Sequence, residues 1–233
     1  MRKTHVLLLL WVMALVTPLT AQWSIGAGGG FALNFYNYDP QYMVGLDFKA
    51  HSGFTADIPV RYQITDRLSL SSGIAMQQKG YVLYGSYLPQ GSETPDQFYT
   101  NLRRHDTYLV LPLMVECNFG EGRWKGYVGA GGYAGWWWRS RYAYKKIGSL
   151  SSGSYHQTQR DYKEFNKDVD RRWEFGVVGG GGVRYELSEV VSIYSAAHVF
   201  FALTPQQKDY QIMHFPSRNT TISVQFGFMF NIN

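Results

Sequence analysis

Five histidines follow residue 21: His51, His105, His156, His198 and His214. Imidazole suits proton transfer near neutral pH and metal ligation. None of the five stands at the spacing of a metal-ligand motif, so no metal or other cofactor is expected. His105-Asp106 is a directly adjacent imidazole–carboxylate pair. Together with His51 it could serve as an acid/base pair at the rim of a fold, although a solvated histidine is the simpler reading of each. Gly129-Ala-Gly131-Gly-Tyr-Ala134 matches the spacing of a dinucleotide loop. That loop requires a helix to follow it, and here three tryptophans, Trp136-Trp-Trp138, follow instead. No serine sits in a nucleophile elbow, and the single cysteine, Cys117, excludes an internal disulfide.

The charged residues carry more information than the histidines, because they recur on one face of alternating segments. From Trp124 to Arg141 the even positions carry no charge, while the odd positions carry Lys125, Arg139 and Arg141. Successive strand side chains point to opposite faces, so this is a strand pattern. The same reading over the rest of the chain puts Asp57, Arg61, Glu116, Glu174, Arg184 and His198 on the polar faces. Both signs of charge occur, so these six are expected to form a polar network inside the fold, since buried ions persist only when paired. Lys79, Arg139 and Arg141 near the long loops, and Lys125 and Glu186 near the short turns, are expected at the rims in water.

The elements that position these residues are eight alternating segments. They cover about 22–36, 52–63, 68–83, 108–119, 124–141, 172–187, 190–203 and 219–233. Their connections alternate long and short: 64–67, 120–123 and 188–189 are tight, while 37–49, 84–104, 142–171 and 204–218 are long and polar. Met1-Arg-Lys3, the apolar run 6–16 and Leu19-Thr-Ala21 read as a secretory leader over residues 1–21. Residues 22–233 then form one domain. Beyond the leader, 20 basic and 17 acidic residues remain of the 22 and 17 in the whole chain, and no basic stripe suits a nucleic acid.

Aromatic residues make up 17% of the chain, and glycine numbers 25. A soluble barrel would turn its apolar faces inward. Here the polar faces are too poor in charge for a solvated surface and rich in Gly, Ser and Ala, which suit the cramped interior of an eight-stranded barrel. The expected fold is therefore all-β: an eight-stranded antiparallel up-and-down transmembrane β-barrel, apolar outside and polar inside. Phe35, Trp136, Trp138 and Trp173 at one end, and Trp23, Trp124 and Phe230 at the other, are expected as aromatic girdles at the two headgroup levels.

Gly73-Ile-Ala-Met-Gln-Gln-Lys-Gly80, Tyr108-Leu-Val-Leu-Pro-Leu-Met-Val115, the glycine-rich fifth segment and the final Phe226-Gly-Phe-Met-Phe230 form a set. In that set the chain resembles the PorT-type outer-membrane β-barrel family of Bacteroidota, with its OmpA-like small-barrel architecture. The chain departs from the pattern in ending Phe230-Asn-Ile-Asn233 rather than on an aromatic residue. The resemblance implies an integral outer-membrane protein and, for some members, an accessory role in type IX secretion. Independently, the leader implies export, and an even strand count with short turns on one side puts both termini in the periplasm. The expected function is structural or interactive. Its partners would be outer-membrane lipid and lipopolysaccharide, and secretion-system or surface proteins reached through loops 84–104 and 142–171. A rim hydrolase and a small pore are the alternatives.

Overall fold

The computed structural model describes residues 22–37, 47–87, 97–150, 153–208 and 217–232. The expected leader and the inner parts of several long loops, including His214, lie outside the described residues. The strands are β1 (Gln22–Asn37), β2 (Asp47–Gln63), β3 (Leu68–Tyr87), β4 (Gln97–Phe119), β5 (Trp124–Leu150), β6 (Gly153–Tyr162), β7 (Trp173–Glu186), β8 (Val191–Ala202) and β9 (Arg218–Ile232). Eight of them close into an all-antiparallel barrel in the order β1-β2-β3-β4-β5-β7-β8-β9, with β9 returning to β1. The remaining strand, β6, pairs only with the far half of β5, from Arg141↔Tyr162 to Leu150↔Gly153.

That hairpin corrects one expectation. Much of the stretch 142–171 is not loop: β5 runs 27 residues, against roughly 9–11 for a strand crossing the hydrocarbon. Likewise β4 begins at Gln97, inside the expected loop 84–104. Alternation fades in both stretches because a strand standing clear of the membrane no longer has one apolar side, so the period-two signal ends before the strand does.

The three tight connections have local causes. Gly120 (φ 102°) and Gly122 (φ 66°) take left-handed conformations between β4 and β5. Between β2 and β3, Thr65 Oγ1 accepts from the amides of Arg67 and Leu68. Between β7 and β8, Ser188 Oγ accepts from Val190 and Val191 in the same way. Both are hydroxyl-capped turns that reverse the chain at once.

The outside of the wall is apolar, with Phe31 76% exposed and Ile58, Ile74, Leu111, Phe175 and Phe226 all exposed. Inside, Tyr108, Val110, Met114, Tyr133, Trp137, Val178 and Phe200 pack into one cluster. Small residues make room for these large ones. A Cβ on Gly28 would stand 2.0 Å from the hydroxyl of Tyr194.

The barrel interior and its capped mouth

The polar interior falls into layers. Nearest the tight turns, Arg61 Nε stands 3.2 Å from Glu116 Oε2, and Arg184 approaches the same oxygen at 3.9 Å. Asn118 ties the layer together: its Oδ1 accepts from both Arg61 and Arg184, and its Nδ2 donates to Ser69 Oγ at 2.7 Å. The Arg184 guanidinium also lies 4.7 Å from the ring centre of Tyr127. Two cations share one carboxylate here, and the Asn118 carbonyl accepts from both of them. A polar vestibule of about 270 Å³ opens from the tight-turn end down to Arg61, Asn118 and Arg184.

At mid-height Asp57 accepts from the Tyr194 hydroxyl, 3.2 and 3.4 Å from its two oxygens. Gln225 donates to Thr55 Oγ1 at 3.2 Å and neighbours His198, whose ring lies 6.2 Å from Phe200. Above this, Lys79 is fully buried and paired with Glu174. Glu174 also accepts from the Tyr133 hydroxyl at 2.9 Å and from Asn219 Nδ2 at 2.7 Å. Asn34 extends the chain to the Gly80 carbonyl, to Asn219 and to Thr221. An unpaired ammonium or carboxylate at this depth would cost several kcal/mol. Here both are satisfied, and the Lys79 charge also faces the Tyr108 ring at 4.7 Å.

The structure thus brings Arg61, Glu116 and Arg184 into one contact group and places Glu174 in a second. Asp57 and His198 stand between them, and neither makes an ion pair among the described residues. Lys79 corrects an expectation: it is an interior cation, not a rim one. It lies in phase with Gln77, which is also fully buried, so the alternation carried the signal although the position near the strand end argued against it.

Arg139 and Arg141 are exposed at the rim, as expected, but on the outer face of the strand instead of the inner one. The β4–β5 register slips between Thr107↔Arg139 and Tyr108↔Trp137, leaving Trp138 as an extra residue. A bulge of this kind reverses the in/out phase beyond it. Ser140 consequently faces inward, while Arg139 and Arg141 are exposed and lie over the Tyr162 ring at 4.4 and 5.3 Å. Trp137 is fully buried between exposed Trp138 and half-exposed Trp136. The other girdle candidates, Trp23, Phe35, Trp124, Trp173 and Phe230, are all exposed on the outer wall.

The long-loop end is capped by two segments expected only as parts of long polar connections. Residues 163–172 and 204–208 join through the bridge Asp170↔Gln207 and the bonds from Arg171 N to Gln206 O and from Lys208 N to Val169 O. Phe165 meets Trp137 edge-on at 4.8 Å, and Lys163 pairs with Asp170. Gln206 donates 2.9 Å bonds to Asp106 and to the Tyr108 hydroxyl. Asp106 also pairs with Arg104 at 3.0 Å, and the Arg104 guanidinium sits 4.5 Å from the Trp137 ring. The i, i+2 spacing of Arg104 and Asp106 was the available signal. Gln206 had none, since a loop glutamine gives no hint of folding back into a barrel.

The three acid/base candidates are brought only partly together. His51 and His105 do meet, edge to face at 4.5 Å. Asp106, however, turns to the interior and is held by Arg104 and Gln206, so the adjacent pair is split across the two faces of β4. Among the described residues no group of three metal-ligating side chains assembles.

An outward apolar wall around a charged, ion-paired interior is the geometry of a barrel solvated by lipid. The family described as "Outer membrane protein beta-barrel domain" matches residues 18–206. The chain belongs to this outer-membrane β-barrel family. Among solved structures it is similar to the outer membrane protein OprG from Pseudomonas aeruginosa, at 13% identity and TM-score 0.54, covering 94% of this chain and 99% of that one. It also matches AlkL, solved in DMPC lipid bilayers, at 12% identity and TM-score 0.45, covering 93% of this chain and 95% of that one. A third match is Neisserial surface protein A at 12% identity and TM-score 0.42, covering 91% of this chain and 100% of that one. The OprG likeness supports the barrel fold. No curated protein matches the sequence.

Proposed function

We propose that this outer-membrane barrel is a sealed wall protein that works by interaction at its long-loop end. On this reading the leader is removed, both termini and the tight turns face the periplasm, and the β5–β6 hairpin projects from the cell. The observation that carries the reading is a contrast between the two ends. The interior is filled by paired ions and capped by residues 163–172 and 204–208, while the long-loop end extends β4, β5 and β6 as regular strand beyond the membrane's needs. A projecting two-stranded arm on a rigid barrel suits the docking of another protein. The resemblance to PorT-type barrels makes a component of the type IX secretion machinery the partner to test first.

The hydrolase alternative loses support from the separation of His105 and Asp106. The decisive experiment replaces residues 145–158 by Asn-Gly, which removes the outer rungs of the β5–β6 hairpin and closes it with a new turn beyond Tyr144↔Gln159. Affinity capture from detergent-solubilised outer membranes should lose its specific co-purifying proteins, while the folded barrel still migrates anomalously on unboiled SDS gels. Unchanged capture would overturn the proposal.

A further inference from the structure

The bulge at Trp138 has a consequence on the outer wall. It places an apolar girdle residue and a cation next to each other, both outward: Trp138 is 51% exposed, and Arg139 beside it is exposed. Arg141 follows on the same face, Arg103 stands outward on neighbouring β4, and Arg160 lies on β6. The four arginines line one recess of about 750 Å³, floored on the membrane side by Phe54, Met76 and Trp138. None of the four forms an ion pair among the described residues. The one acid of the recess, Asp161, accepts the Tyr162 amide at 2.7 Å. In the interior of this same protein every arginine close to a carboxylate is paired with it. Here four positive charges face one acid, immediately beyond the apolar band.

We infer that this recess binds the phosphorylated headgroup of a glycolipid of the lipid A type, with its acyl chains along Phe54, Met76 and Trp138. Guanidinium groups match phosphate oxygens two at a time and are the side chains best suited to such a ligand. Cations clustered at the headgroup level attract anionic lipid. The spread of the arginines over three strands exceeds what one small phosphate spans and suits a headgroup with separated charges. The Tyr162 ring, stacked under Arg139 and Arg141, holds both guanidinium groups in place. The inference rests on the proposed orientation, which puts this end of the barrel in the outer leaflet.

The test is native mass spectrometry of the full chain purified in detergent. It is titrated separately with bisphosphorylated lipid A, the same lipid dephosphorylated, phosphatidylglycerol and inorganic phosphate. One retained lipid A is expected, with dephosphorylation or the double change Arg139→Ala/Arg141→Ala weakening retention about tenfold. Arg67→Ala/Arg123→Ala, at the opposite end, should leave retention unchanged, and inorganic phosphate should not compete. Anomalous migration on unboiled gels establishes that each variant is folded. Equal retention of phosphorylated and dephosphorylated lipid overturns the inference, as does full retention by the Arg139/Arg141 variant or a preference for phosphatidylglycerol. Binding in micelles is indifferent to orientation. A reversed barrel would be exposed separately, by protection of the hairpin from protease added to whole cells.

Discussion

Lys79 and Glu174 show how much one buried pair can govern. Lys79 has no exposure to solvent, and its partner carboxylate is further held by Tyr133 and Asn219. Replacing Lys79 by Met leaves that carboxylate buried and uncompensated, which costs about 3–5 kcal/mol. The double change Lys79→Met/Glu174→Gln removes both charges and should recover most of the loss. Urea unfolding in lipid vesicles, followed by tryptophan fluorescence, measures both. An equal loss in the single and double variants would mean that the pair is not the cause. The same residue marks the limit of reading one strand at a time. Its inward phase was legible from Gln77 and Lys79, but its partner stands on β7, and only barrel closure decides which strands look at each other across the interior.

At the scale of an element, β1 and β5 illustrate two kinds of glycine-rich strand. In β1 one inward glycine, Gly28, makes room for something large: Tyr194 from β8 reaches Asp57 across the space a side chain at position 28 would fill. Gly28→Leu should displace that ring, break the Tyr194–Asp57 bond and cost about 1–3 kcal/mol through overpacking. Gly29→Leu, on the outward face with only a Thr55 carbonyl 3.4 Å from its Cβ, should cost far less. A shift in urea midpoint of the same size for both would refute the argument. In β5 the alternation is clean as far as Trp137 and then misleads, because one inserted residue turns Arg139 and Arg141 from inside to outside. A bulge leaves no signature in composition. It shows only when the partner strand's register is known.

For the molecule as a whole, successive layers of interior side chains occupy the bore. Gln77, Lys79, Tyr108 and Trp137 are all fully buried, and the cap joins to them through Gln206. The vestibule at the tight-turn end stops at Arg61, Asn118 and Arg184. Planar bilayers containing the folded barrel should therefore show no steady ion conductance. A stable conducting state would overturn the sealed-wall reading, whereas leakage that appears only after deletion of residues 163–170 would locate the seal in the cap.

By itself the sequence determined the parts that depend on local order. Period-two alternation sets which side chains share a face, tight and long connections alternate, and the apolar side lies outward because the opposite faces carry too little charge to meet water. Those properties are sufficient for an eight-stranded transmembrane barrel with Asp57, Arg61, Glu116, Glu174, Arg184 and His198 on its polar side. The tertiary structure alone decided which of them touch, where the register slips, how far β5 continues with β6 beside it, and that two loops fold back over the mouth. Each of these depends on contacts between residues far apart in the chain, whose energies are fixed by strand register and closure, not by the neighbours that a sequence displays.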